Sequence, residues 1–390
     1  MKILFITGAY PPIVCAGNRV YNLVNYLSKE HEITVMFRKN KNILFFKMPE
    51  DHTLKKIKNI TEIPYTINYN LILIPLRILF KLNLIPSMNV YFNKIKKIID
   101  ENSEEFSKFD LVIASGSPWD VFKVAEYLFD KFKIPFILDY RDPWISNNKA
   151  TIKDQKRIIN KAKAVVTVTN SCVGKIKQIA NYKKDILIIK NGVDLNSVQG
   201  LKKQIKDNKL RIGFAGNFVN YHNVDVLLRA MSKLPIEIKE NIIFEGCGGP
   251  YQKKCERLSK KLGVVSNYYG HLSLDKMNKV LNNCHLFYLG TIINDAVSGK
   301  FYNYLSLNKP ILCYTFKNSQ LDKEIKNNKL GFVCYSESEL TEKIKEIYNN
   351  RNMLSENNFK IKEYIRNYDW KVLAKKYINL IDDINGNKKI

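Results

Sequence analysis

Residues 295–310 read DAVSGKFYNYLSLNKP. The stretch opens as a short polar loop, becomes a helix, and hands on to an apolar strand, ILCY, at 311–314. Far upstream the chain opens with KILFITGAYPP over residues 2–12. That opening is an apolar strand followed by a loop, and Pro11 and Pro12 cannot continue either element. A strand–loop pair at one end and a loop–helix–strand unit at the other are the building pieces of α/β sheets.

Working outward, the same alternation fills the chain. Val20, Leu23, Val24 and Leu27 mark one helical face, and 33–36 returns as a strand, which makes a βαβ unit. Further strands are read at 111–114, 136–138, 165–168 and 186–189. These runs are apolar at every residue, as suits a parallel sheet covered on both faces. NGVD at 191–194 is a turn, and the polar run 199–209 reads as a linker. The pattern restarts with RIGFAG at 211–216, a helix at 224–231, and strands at 242–244, 268–269, 286–289, 311–314 and 332–333. The expected fold class is α/β: two doubly wound parallel-sheet domains facing across a cleft, 1–198 and 205–365. Residues 360–381 read as helical, with Tyr364, Trp370, Leu373 and Tyr377 available for packing.

Composition agrees. The 390 residues are 45% hydrophobic and 12% aromatic, enough for two cores rather than one, and far from a disordered composition. Seven cysteines are scattered without a CxxC pair, and Cys247 and Cys255 have no histidine near them. Buried thiols in a reducing compartment are the plain account, and a zinc site has little support. The net charge is +26. A lysine-, asparagine- and isoleucine-rich composition of the kind AT-rich codons produce explains much of it. Attraction to an acidic partner is the functional account: an anionic membrane, a lipid diphosphate or a nucleotide sugar. The charge is spread along the chain and accompanies no nucleic-acid motif, so nucleic acid is not an expected partner.

The opening strand leads into GAYPP without a small-residue cleavage site, which does not read as a signal peptide. No apolar run reaches the roughly 20 residues of a spanning helix. The expected location is the cytoplasm. Residues 70–97, NLILIPLRILFKLNLIPSMNVYFNKIKK, interrupt the alternation. They read equally as an interfacial helix pair with a basic side toward anionic headgroups, or as core-packing helices of the first domain.

Several strand ends carry candidate chemistry. The opening loop holds Gly17 and Arg19 at a helix start, where amides can face an anion. It is not GxGxxG, so a dinucleotide site is not supported. Ser115–Trp119 and the run Asp139-Tyr140-Arg141-Asp142-Pro143-Trp144 end two strands, the place where α/β ligands gather. An Arg–Asp ion pair fixing a loop competes with a catalytic reading there. In the second half, Gly216-Asn217 and Gly246 end strands, and His271 follows another as either a ligand neighbour or a local cap. Ser298-Gly299-Lys300 precedes a helix and can cradle phosphate through its amides and the Lys300 ammonium. The alternative is helix capping by Asp295 or Ser298 with Lys300 in solvent.

In order and layout nearly the whole chain resembles the retaining glycosyltransferases of family 4, enzymes with two Rossmann-like domains in the GT-B fold. Residues 295–310 resemble their donor-sugar segment. The resemblance implies that the C-terminal helix, 366–390, crosses back to complete the first, acceptor-binding domain, and that 205–365 binds the nucleotide sugar. The family has two glutamates seven intervening residues apart, one on sugar hydroxyls and one on the ribose diol; here Asp295 and Asn303 stand at that spacing. The family's glycine pair is Ala16 and Gly17 here, and Arg141 stands where a histidine is usual, with Asp142 as the acid. A related branch acting in surface-polysaccharide pathways carries a similar DxRDxW. Arg141 cannot act as a base at neutral pH but can steady negative charge, while Asp139 or Asp142 orients the acceptor hydroxyl. No lysine or arginine lies between Asn217 and Val226, where the family often has a diphosphate-binding lysine, so Lys300 supplies part of that charge.

The resemblance therefore implies transfer of a sugar, with retention, from a nucleotide-diphosphate sugar (UDP-linked favoured over GDP-linked) to a polyprenyl-diphosphate-linked saccharide of O-antigen, capsule or a related glycan. It implies no cofactor and no metal, and a peripheral place on the inner face of the cell membrane through 70–97. The implied catalytic residues are Asp139, Arg141, Asp142 and Asp295. Donor contacts are implied for Gly17, Arg19, Gly216, Asn217, Gly246, His271, Ser298, Gly299, Lys300 and Asn303. The rivals are a sugar-nucleotide epimerase of the same fold and a non-catalytic binding protein; oligomeric state is left open.

Overall fold

The structure is a computed structural model. It describes residues 1–12, 17–39, 54, 56–66, 89–116, 119–142, 144, 148–202, 207–249, 251–291 and 297–386. Ala16, Ser117, Pro143, Asp295 and residues 70–88 of the interrupting segment lie outside the described residues. The chain divides into two compact units, Met1–Lys190 with Leu373–Ile390, and Asn191–Val372.

The first unit is built on strands β1 (Lys2–Thr7), β2 (Glu32–Arg38), β3 (Ile60–Tyr65), β4 (Leu111–Gly116), β5 (Phe136–Tyr140), β6 (Ala164–Thr167) and β7 (Ile186–Ile188). They form one sheet in the order β3-β2-β1-β4-β5-β6-β7, with every described pair parallel. The second unit holds β8 (Leu210–Ala215), β9 (Ile242–Cys247), β10 (Ser266–Tyr268), β11 (Leu286–Gly290), β12 (Ile311–Tyr314) and β13 (Gly331–Cys334). Their order is β10-β9-β8-β11-β12-β13, again all parallel. Both sheets therefore reverse direction of growth between their first and fourth strands. In doubly wound sheets that reversal opens a crevice at the carboxyl ends, where ligands bind. In the first sheet it lies between Thr7 and Ser115, which are register partners.

The all-apolar strands have a two-sided explanation. In the second unit Leu210, Ile212, Phe214, Leu286 and Tyr288 join one core, under the helices Val224–Ser232 and Glu337–Asn349. Ala215, Phe287, Leu289, Ile311 and Cys313 join another core with the helices Gly299–Ser306 and Ile361–Arg366. Successive residues of a strand thus enter opposite cores, as the two-residue repeat requires.

Two sequence expectations differ from the structure. β3 was not among the expected strands; it contains Pro64 and forms as an edge strand, where a missing ladder donor is tolerated. The run 199–209 was expected as the linker, yet the second unit already begins at Asn191. The Val193 amide donates to the Tyr368 carbonyl (3.0 Å), and the Trp370 amide donates to Val193 (3.1 Å). Leu195, Val198 and Leu201 pack on that unit's core. The helix Trp370–Ile384 spans the second boundary and buries Leu373, Ala374, Tyr377 and Ile381. Among the described residues no helix is long and apolar enough to cross a membrane.

Candidate functional site

At the carboxyl ends of β1, β4 and β5 the first unit buries an ion pair. Arg19, on the helix Asn18–Leu27, donates from Nε (3.1 Å) and Nη2 (2.8 Å) to the two oxygens of Asp139. Their exposures are only 4% and 0%, so neither charge has access to water. Ser115 Oγ adds a 2.7 Å bond to Asp139, and Arg19 Nη1 also reaches the Lys190 carbonyl at 3.2 Å. Burial pushes the Asp139 carboxyl up, but the charge and hydrogen bonds of Arg19, with Ser115 and Arg141, outweigh it and hold the group below its ordinary value. The fully buried Tyr377, from the C-terminal helix, lies close enough for both charges to act on its phenol.

This geometry changes the expected roles of two residues. Asp139 has both oxygens engaged and no exposure, so it positions the loop rather than orienting an acceptor hydroxyl. Arg19 is committed to a carboxylate rather than presented to a phosphate. The expected competitor, an Arg–Asp pair, exists, but its arginine is Arg19. Arg141 is half-buried and donates from Nε to the Gly116 carbonyl; burial pulls its guanidinium pKa down, opposed by Asp139 and Asp142. Asp142 is exposed. The loop carrying both is pinned by aromatic packing. Trp144 is buried and stacks on Trp119 (5.7 Å, 11°), which in turn stacks on Tyr140. Gly17 is buried and precedes the first turn of its helix as the N-cap.

The second unit places a different cation at the same point of its sheet. Lys300 lies in the first turn of the helix Gly299–Ser306 and folds back over the end of β8. Its ammonium is 4.6 Å from the centre of the Phe214 ring and 3.0 Å from His222 Nε2. Gly216, at φ +133°, leaves the space it enters: a β-carbon there would lie 2.8 Å from Lys300 Nζ. His222 comes from the turn Asn220–His222, which is fixed to the end of β11. Tyr288 Oη donates to the Asn223 carbonyl at 2.7 Å, and a β-carbon on Gly290 would lie 2.3 Å from the His222 carbonyl. Burial, then the Lys300 charge, drive the imidazole pKa down to about 3, partly offset by a hydrogen bond to the Gly290 backbone. His222 is thus a neutral ring facing a cation. Sequence reasoning missed it, since the partner that gives it meaning lies 78 residues away.

The second unit's other expected donor residues lie on this helix and at the neighbouring strand ends. Ser298 is the N-cap of the Lys300 helix but makes no side-chain capping bond, and Lys300 is half-buried rather than in solvent; Asp295, the other expected cap, lies outside the described residues. Gly299 and Asn217 are exposed and Asn303 is half-buried on the helix. The strand-end turns stack closely. The Gly216 amide donates to the Cys247 carbonyl (2.8 Å), and the Gly248 amide donates to the Gly270 carbonyl (2.7 Å). A β-carbon on Gly248 would meet the Gly216 carbonyl oxygen at 1.8 Å. Gly246 is a packing glycine, enclosed by Phe244, Phe218 and Tyr268. His271 is exposed beyond β10. Tyr304, expected to pack, stacks on Phe287 (4.6 Å) and accepts the Ala215 amide at 2.7 Å, holding the end of β8 in place. Among the described residues no three His, Cys, Asp or Glu side chains are grouped to hold a metal.

Two sheets of the same order, each with a cation at its point of reversal, define a class of protein, and comparison with known families agrees. A family model described as glycosyltransferase family 4 matches residues 16–197, and one described as glycosyl transferases group 1 matches residues 200–379. The chain is a glycosyltransferase of the GT-B fold, similar to family 4. It is 23% identical over 239 residues to an uncharacterised glycosyltransferase, MJ1069, of Methanocaldococcus jannaschii; the match covers 58% of this chain and 60% of that relative's length. Its fold is similar to that of Alr3699/HepE of Anabaena in complex with UDP and glucose, with a TM-score of 0.73 at 13% identity over 98% of this chain and 100% of the other. It is similar also to WaaG, described as a glycosyltransferase involved in lipopolysaccharide biosynthesis, with a TM-score of 0.66 at 12% identity over 97% and 99%.

Proposed function

We propose that this chain is a retaining glycosyltransferase that moves a sugar from a UDP-sugar to a polyprenyl-diphosphate-linked saccharide in bacterial surface-glycan synthesis, at the inner face of the cell membrane. The observation that carries the reading is Lys300, aimed over the Gly216 turn at the start of a helix whose N-cap, Ser298, makes no side-chain capping bond. A cation, a helix N-terminus and a glycine turn converge where a doubly wound sheet binds its ligand, and together they suit a diphosphate. Two similar folds support the finer choices: one was solved with UDP and glucose, the other works in lipopolysaccharide biosynthesis. The net charge of +26 suits an anionic surface and a lipid diphosphate.

In this reading the second unit holds the donor. Lys300 and the amides at 299–300 offset charge on the leaving diphosphate, Asn303 meets the ribose, and Asp295 meets sugar hydroxyls. The first unit takes the acceptor, with Asp142 orienting its hydroxyl and Arg141 steadying negative charge. The acceptor attacks the face that the nucleotide leaves, and the departing phosphate takes its proton, so neither a protein nucleophile nor a metal is required.

The test is nucleotide release from UDP-, GDP-, dTDP- and CMP-sugars, with and without a lipid extract of the source cells. Lipid-dependent release from a UDP-sugar is expected. Turnover of a nucleotide sugar without any acceptor, giving an epimerised free product, would replace the transferase reading with the epimerase one.

A further inference from the structure

We propose that His222 is a positioning residue that holds the Lys300 ammonium in place for a nucleoside diphosphate before the ligand arrives. The inference rests on the donor-site reading above and assigns a function to a residue that reading does not use.

The geometry specifies how. An ammonium has only donors, so at 3.0 Å His222 Nε2 is the acceptor. The ring's bond to the Gly290 backbone then leaves from Nδ1, which fixes the neutral Nδ1–H tautomer. Tyr288 holds the turn from behind through the Asn223 carbonyl. The ring is thereby locked at both nitrogens and at its backbone, and it presents one lone pair to Lys300. On the opposite side the Phe214 ring lies 4.6 Å from the same ammonium. A free lysine side chain has four rotatable carbons to order on binding a phosphate; here two neutral partners have already ordered them.

The choice of partner matters. A carboxylate at the His222 position would hold Lys300 equally well but would cancel its charge and repel the ligand. A neutral imidazole orients the cation and leaves its field intact. The residue touches Lys300 rather than the reacting atoms, so its effect belongs in donor binding more than in the chemical step.

The experiment is calorimetric titration of the full chain with UDP and with GDP, for wild type, H222A, H222Q, K300M and the double variant H222A/K300M, together with steady-state kcat and KM for the accepted donor sugar. Loss of one charge-assisted hydrogen bond predicts about tenfold weaker nucleotide binding for H222A. KM should rise more than kcat falls, and H222Q, whose amide oxygen can accept, should recover most of the loss. In the K300M background H222A should add little, since the residue acts through Lys300. Equal nucleotide binding by wild type and H222A, or the same tenfold loss in both backgrounds, would overturn the positioning role while leaving the donor site standing. No binding of either nucleotide to the wild type would overturn both. H222Q serves as the folded control if H222A melts early.

Discussion

The two units place a cation at the same topological point and treat it in opposite ways. In the first, Arg19 is sealed from water against Asp139, both oxygens of which it engages. In the second, Lys300 is half-buried and held by a neutral imidazole and a phenyl face. A buried pair has spent its charge on itself, and what it contributes is a fixed loop. A neutral imidazole orients a cation without cancelling its charge. One fold repeated within a chain thus presents its cation to a carboxylate in one copy and to an imidazole in the other.

That contrast can be broken in order of expected effect. Asp139→Ala leaves Arg19 buried without its anion, and about 3–5 kcal/mol of stability should be lost in urea denaturation. A loss below 1 kcal/mol would show that the pair is not the joint it looks. Lys300→Met should do the converse, changing stability by less than about 1 kcal/mol while lowering kcat/KM for the donor on the order of 100-fold. Full activity in that variant would remove the donor site from this sheet edge. Gly248→Ala forces a methyl onto the Gly216 carbonyl, so about 1–3 kcal/mol of stability and part of the donor affinity should go together; unchanged binding would detach the glycine turns from the site.

A further effect is in acid. His222 has a folded pKa of about 3 against an ordinary 6.5, so as pH falls below 6.5 unfolded chains take up a proton that folded ones refuse. Stability should fall across that window, before the Asp139 pair begins to protonate below the ordinary aspartate value of 3.8. H222Q should flatten the decline between pH 6.5 and 4 in thermal melts. An identical slope in both proteins would mean that the imidazole is not held neutral.

Much of this molecule was legible along the chain. The all-apolar strands announced two parallel sheets, because a strand buried on both faces must be apolar at every position. Lys300 after Ser298-Gly299 was read from local chemistry as a candidate phosphate cradle, and the structure sets it over the Gly216 turn. β3 was not read from the sequence; whether the proline it carries is tolerated depends on a sheet edge, which no local window reveals. The domain boundary was hidden because the backbone of Val193 finds its partners at Tyr368 and Trp370.

The sequence by itself determined the class of fold and the strand ends that carry polar chemistry. These follow from the periodicity of burial and from loop composition, and both are local. Only the tertiary structure decided which partner each charge meets. Arg19 and Asp139 are 120 residues apart, and Lys300 and His222 are 78 apart. The fate of a charge depends on its neighbours in space, and the crossovers of a doubly wound sheet bring together residues that the chain keeps distant.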